Sequence, residues 1–398
     1  MDMKRNWIVA SIFTATLAVI AGGCGVSKES GDDLKDGKVQ LRFATWDVAE
    51  DMDRQQKLVD EFNKEHDDIE VTLEAYGSNY DTKISAGMGS GDAPDIMYMW
   101  NYPAYADGLE PLSSYIEKEG GDEFKKKFSS TLWNYNSLEE EIYGVPVGFT
   151  SHVLYYNKDL FTEADLDIPT NEWTWEDLQD AAKIITEKTD AKGFAFQMKP
   201  DPYDFEMYLW SNGTAYCNES GELKGCLDSK ESKEVFKMFQ DMEKEGYGIA
   251  TEKDGTDEFR SGNAAMFVSA SWPIEALNED NMNYGVVNIP SFDGQKSVSI
   301  LNSSGVSISK DSKHKKEAWE FIKFYSEKEY AKGYGEMNTP GMEAFLTMLE
   351  QSDGYRPASF QIESWSELSE NLSLAFEEIF NPSSMRDVSE VLEEVAQQ

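Results

Sequence analysis

The sequence predicts an α/β protein of two lobes or domains. Three observations predict it. The chain has 398 residues, more than one hydrophobic core usually serves, so two lobes are expected. Runs of strand-like alternation are separated by runs with apolar residues at helical spacing, the pattern of a parallel sheet covered by helices. Trp46, Tyr76 and Trp100 fall just after predicted strands, where sheets of this kind hold ligands.

Residues 39–44 alternate apolar and polar and close at Trp46-Asp47, a first strand. Met52, Leu58, Val59 and Phe62 then share one helix face. Residues 69–73 alternate again, a short helix is expected over 80–88, and Ser90-Gly91-Asp92-Ala93-Pro94 turns into a strand over 95–99. Gly and Asp suit the tight turn and Pro94 fixes the backbone at the strand entry, so Asp92, Pro94 and Asp95 are read as structural. In the second half, 153–157 reads as a strand. Thr174 with Asp177 approximates a capping box for a helix over 175–187, which carries Trp175, Leu178, Ala182 and Ile185 on one face. A helix from Ser229 carries Val235, Phe239 and Met242. Residues 264–268, 283–289, 298–301 and 306–309 are strand-like. Ala318, Phe321, Ile322 and Tyr325 mark a helix, and the chain from 359 reads as helical with a break at Asn381-Pro382.

Composition narrows the function. With 36 Lys+Arg against 75 Asp+Glu the formal charge is −39, which repels a phosphate backbone and excludes sequence-independent nucleic-acid binding. A hydrophobic share of 40% is ample for folding and argues against a disordered acidic chain. Three His leave little material for His-based catalysis or a multi-His metal centre, and no cofactor or metal is expected. Ten Trp, nineteen Tyr and twenty-one Phe are many for so polar a surface, and some are expected to line a site.

The N-terminus reads as an address. Lys4 and Arg5 precede an apolar run over 7–21, too short for a comfortable membrane span, and small residues then lead to Cys24; this is the pattern of an export signal. Ala21-Gly22-Gly23-Cys24 resembles a bacterial lipobox, with Ala21 where Leu is usual, in which the Cys thiol is acylated and becomes the first mature residue. An ordinary signal peptide with an incidental Cys is the alternative. Residues 1–23 are therefore read as a lipoprotein signal peptide and 24–38 as a flexible tether, giving a chain lipid-anchored on the extracytoplasmic face of the cell membrane. Cys217 and Cys226 then lie outside the reducing cytoplasm, and the turn-forming stretch between them lets them face one another across a hairpin as a disulfide; two free thiols is the alternative.

Several blocks in order carry a family resemblance: Lys83 through Ser90-Gly91-Asp92-Ala93-Pro94-Asp95-Ile96; Ile142-Tyr143-Gly144-Val145-Pro146; Leu154-Tyr155-Tyr156-Asn157-Lys158-Asp159-Leu160-Phe161; Thr174-Trp175-Glu176-Asp177-Leu178; Gly262-Asn263-Ala264-Ala265-Met266 with Ser271-Trp272; Asn283-Tyr284-Gly285; and Ala318 through Phe321. Over nearly the whole mature length the chain resembles the extracellular solute-binding proteins of ABC importers, family 1, the group that includes maltose-binding protein. The resemblance implies a two-lobed periplasmic-binding-protein-like fold (type II) in which the ligand is trapped by hinge closure. Matched blocks put chain crossings near 149–150, 302 and 325, so that 39–149 with 302–325 form the first lobe and 150–301 with 326–398 the second.

The resemblance implies a carbohydrate receptor that delivers its ligand to an ABC transporter membrane permease, a monomer with no chemistry of its own. Sugars present apolar faces and a rim of hydroxyls, so their sites pair aromatic rings with carboxylates and amides. Carried over by position, the ligand-binding residues are Trp46 and Asp47, Trp100 and Asn101 (a shift of one would bring in Met99), Thr150, Asp201, Tyr203 and Trp272, with Tyr80, Trp210 and Trp365 as looser candidates. Trp175, Trp133 and Trp173 are read as packing. The same fold group takes phosphorylated polyols and other small solutes, so a non-sugar ligand is an alternative. A secreted glycoside hydrolase, with a carboxylate pair drawn from the abundant acids, is the alternative from a different class.

Overall fold

The computed structural model describes residues 34–397 apart from Asp36 and Pro340; the expected signal peptide, Cys24 and most of the tether lie outside the described residues. One sheet places Ile69–Ala75, Lys38–Thr45, Ile96–Met99, Leu301–Ile308 and Val145–Ser151 side by side. The first three run parallel, and Leu301–Ile308 is antiparallel to both of its neighbours. The other sheet has the order Gly248–Thr251, Phe194–Gln197, Met266–Ser269, Val153–Asn157, Tyr284–Val287.

Each sheet buries its own core. In the first, Leu41 and Phe43 point inward from Lys38–Thr45 and meet Val59 and Phe62 of the helix Ala49–Glu65 and the apolar face of Lys315–Met337. Phe43 packs edge-on against Phe321 at 5.2 Å and Tyr325 at 5.0 Å between ring centroids. In the second, Thr174 and Asp177 complete the capping box of Trp175–Lys188, which seats the buried Trp175 against Phe239. The helix Trp365–Phe380 closes this core by laying Phe376 on Phe205 at 4.8 Å. Fixed-geometry aromatic contacts of this kind resist register slips, because moving a strand by one residue would turn its inner face outward.

Asp95 holds the first sheet together, accepting from the backbone N–H of Arg42 at 3.0 Å and from Ser312 Oγ at 2.6 Å. Gly305 sits at a register shift in Leu301–Ile308; a Cβ there would collide with Asn136 Oδ1 and the Tyr102 hydroxyl, so a bare backbone lets the strand cross that buried cluster. No helix among the described residues is long and apolar enough to cross a membrane.

Three expectations change. The strands expected over 298–301 and 306–309 are one strand, Leu301–Ile308; Val298 and Ser299 are instead held by the hydroxyls of Ser211 and Ser352. The helix expected to cross between lobes near 325 continues to Met337, and Tyr330 still packs in the first core, so the chain leaves that core later; its apolar stripe runs past 325 without a break. The next helix, Glu343–Gln351, divides its side chains between both cores, with Leu346 and Leu349 in the first and Phe345 and Met348 in the second. Finally, Cys217 and Cys226 are free thiols, the first buried. No strand flanks the turn between them, so the hairpin that would set them face to face does not form, and burial pushes the Cys217 thiol up to about 11.

Candidate ligand-binding cleft

Where Val145–Ser151 and Leu301–Ile308 pass between the two cores, they form the floor of a cleft of about 480 Å³, within the range that encloses a small organic ligand. Gly148, Phe149 and Thr150 supply one half of the floor, and their register partners Ser304, Ser303 and Asn302 the other. Asn136, wholly buried, fixes this floor from below: its Nδ2 donates to Ser303 Oγ at 2.9 Å and to Leu132 O at 2.8 Å, and its Oδ1 accepts from the Tyr102 hydroxyl at 2.7 Å. Thr150 Oγ1 is buried without a hydrogen-bond partner.

The first-lobe wall carries Trp46, Asp47, Arg54 and Trp100. Trp46 and Asp47 follow the end of Lys38–Thr45, and Trp100 follows Ile96–Met99, so both parallel strands deliver an indole at their carboxyl ends. Trp46 is packed edge-on against Tyr98 at 4.9 Å and Tyr80 at 5.2 Å. Asp47 accepts from Gln55 Nε2 on the following helix. Burial, and next the nearby Asp51 carboxylate, raise the Asp47 pKa, opposed by Arg54. Trp100 is 50% exposed.

The second-lobe wall carries Trp272 and Tyr203. Trp272 stands just beyond Met266–Ser269, is 54% exposed, and meets the His152 ring edge-on at 5.9 Å. The Tyr203 hydroxyl donates to Leu301 O at 2.7 Å, which leaves its ring as the surface it offers. Behind Trp272 lies an adjoining cavity of about 90 Å³, lined by His152, Asp201, Asp204 and Asp254. Burial lowers the His152 pKa, opposed by Asp204, and burial raises that of Asp204. His152 is therefore neutral near pH 7.

The structure brings Trp46, Asp47, Trp100, Thr150, Tyr203 and Trp272 to one cleft and leaves other sequence candidates outside it. Tyr80 is 4% exposed; its hydroxyl donates to Tyr98 O and its ring supports Trp46 from beneath. Asn101 caps a short helix by accepting from Ala104 N at 3.3 Å. Asp201 caps Pro202–Trp210, accepting from Tyr203 N at 2.9 Å, and reaches the smaller cavity. Trp210 packs on Tyr355 and Trp365 on Tyr216, both within the second lobe, and Met99 is fully buried. Arg54, Asn302 and Glu329 line the cleft without having been anticipated. Glu329 did leave a signal, because it lies four residues after Tyr325 on the apolar stripe of its helix, where a carboxylate has no solvent-facing reason to be. Among the described residues no group of three or more His, Cys, Asp or Glu is placed to hold a metal.

The fold and this cleft have known counterparts. A cyclic α-maltosyl-1,6-maltose binding protein from Arthrobacter globiformis superposes with a TM-score of 0.78 at 19% identity, over 91% of this chain and 98% of that one. An ABC substrate-binding protein of Listeria monocytogenes in complex with cycloalternan gives 0.72 at 22% identity, over 90% and 97%. These likenesses establish the two-lobed periplasmic binding fold. In sequence, a binding protein of Brucella abortus (strain 2308) is 30% identical over 260 residues, 63% of this chain and 61% of the relative. The sn-glycerol-3-phosphate-binding periplasmic protein UgpB of Escherichia coli (strain K12) is 27% identical over 251 residues, 58% and 57%. The matched stretch thus spans about three fifths of the length of these curated relatives. The model of the bacterial extracellular solute-binding protein family matches residues 46–332, and the chain belongs to that family.

Proposed function

We propose that this chain is a receptor that captures a neutral saccharide between its lobes and delivers it to the membrane permease of an ABC importer, with no chemistry of its own. The observation that carries the reading is the pair of half-exposed indoles, Trp100 and Trp272, on opposite walls of one cleft whose floor is a row of hydroxyls and amides. Exposed indoles are costly in water and flat enough to cover a sugar face, while Asp47, Asn302 and Thr150 offer acceptors and donors to its hydroxyls. The structural counterparts, one in complex with cycloalternan and one a cyclic α-maltosyl-1,6-maltose binding protein, support the same ligand class. Cys24 serves as the lipid attachment point that keeps the receptor beside its permease.

Isothermal titration against maltose, maltotriose, mannotriose and cyclic oligosaccharides tests the reading. Saturable binding of at least one is expected, without cleavage of the sugar. Silence across the panel together with tight binding of a non-sugar would reject the substrate class, and cleavage would favour a glycoside hydrolase. A glycerol-phosphate receptor is the second reading, favoured by the sequence likeness to UgpB.

A further inference from the structure

Arg54 is the one Lys or Arg among the described residues that line the cleft. It projects from Ala49–Glu65 and makes an ion pair with Glu329 of Lys315–Met337. A second nitrogen, Nη2, lies 3.3 Å from Asp51 Oδ1, and Asp47 feels its charge as well. The one cation is therefore set among three carboxylates. Glu329 is 7% exposed in a helix whose neighbouring face is core, and a carboxylate there is tolerated because it is paired. One of its oxygens, Oε2, is buried with no hydrogen-bond partner.

We propose that Glu329 sets the charge of the ligand: by engaging Arg54 it withdraws the cleft's cation from anion recognition and selects neutral polyhydroxylated solutes over phosphorylated ones. This rests on the reading of the cleft as the ligand site. A phosphate entering the cleft would be desolvated against a guanidinium already neutralised and against the charges of Asp47 and Asp51. A sugar hydroxyl, both donor and acceptor, instead finds a guanidinium held in place as donor and the free Glu329 oxygen as acceptor. The ion pair thus turns the residue best suited to phosphate into one suited to hydroxyls.

The test titrates the full chain and its variants with sn-glycerol 3-phosphate as the probe. The wild type is expected to show no saturation in the low millimolar range, and Glu329→Gln to bind the probe at least roughly tenfold better than that limit. Adding Arg54→Gln to Glu329→Gln is expected to remove the gain. Asp51→Asn, on an exposed side chain, gives a second reading if Glu329→Gln does not fold, with a gain of roughly threefold. Tight binding of the probe by the wild type, a folded Glu329→Gln with no gain, or a gain that survives loss of Arg54 would each overturn the proposal; so would an unfolded Glu329→Gln combined with no gain in Asp51→Asn. Failure of the saccharide reading would appear separately, as a wild type silent to every neutral sugar, whereas these arms read Glu329 through the phosphate.

Discussion

On the first-lobe wall of the cleft, Trp46 leans on Tyr80 and Tyr98, Asp47 is held by Gln55 and Arg54 by Glu329. On the second-lobe wall, Trp272 stands half exposed against the single ring of His152, with a small acidic cavity behind it. Binding energy is divided unequally between the lobes. On the first wall Trp46, Asp47 and Arg54 are ordered in advance, so little of their conformational entropy remains to be lost when a ligand arrives. The second relies on Trp272, which lacks such supports; its open apolar area, like that of Trp100 across the cleft, becomes favourable once covered by a ligand and the opposite lobe.

Replacing one indole on each wall sharpens this comparison. Trp272→Ala is expected to weaken binding of a neutral oligosaccharide by roughly 30-fold while leaving the melting temperature within about 1 °C. Trp46→Ala is expected to weaken binding by a similar factor and also to cost about 2 kcal/mol of stability, since its ring fills space over Tyr80 and Tyr98. Calorimetry with thermal unfolding separates the two; equal losses of stability would break the contrast.

The second lobe is soft at its wall and strained in its core, which pH exposes. Glu206 is buried with its Oε2 accepting from Ala358 N at 2.8 Å, and burial pushes its pKa up from 4.5 to about 8. Its folded form holds the proton more tightly than the unfolded form, so its contribution to stability falls as pH rises from about 4.5 to about 8. Glu206→Gln is expected to raise stability by about 2 kcal/mol, roughly 5 °C, at pH 8 and to do almost nothing at pH 4.

Much of this architecture was legible in the sequence because strands alternate and caps have fixed chemistry. Lys38–Thr45 and the Thr174 capping box appear where alternation and spacing placed them, and Trp46, Thr150 and Trp272, carried over by position from the resemblance, line one cleft. What was not legible depends on packing at a distance. Tyr80 begins a helix and reads as a ligand-binding candidate, yet the turn Gly77–Asn79 before it leads its ring beneath Trp46. The late exit from the first core was hidden because an amphipathic helix carries no mark where its neighbours change. Cys217 and Cys226 suggested a disulfide through a hairpin that the backbone does not make.

Two smaller effects probe the supports of each wall. Tyr80→Phe removes the hydroxyl that donates to Tyr98 O and is expected to cost about 1 kcal/mol of stability, with binding weakened less than threefold; a larger loss of binding than of stability would mean that Tyr80 touches ligand. On the other wall, burial depresses the His152 pKa below 6.5 although Asp204 and Asp254 oppose it. The unfolded chain therefore takes up the proton first, and stability declines as pH falls below about 6.5. His152→Gln is expected to flatten that decline by less than about 1 kcal/mol, read from unfolding curves at pH 5 and 7; an unchanged slope would show that other groups cause it.

Small-angle scattering of the full chain, with and without a saturating neutral oligosaccharide, tests most directly whether the two walls close on a sugar. The radius of gyration is expected to fall on addition of the ligand for the wild type and to fall less for Trp272→Ala at the same concentration. A wild type that binds the sugar by calorimetry yet shows no compaction would contradict it.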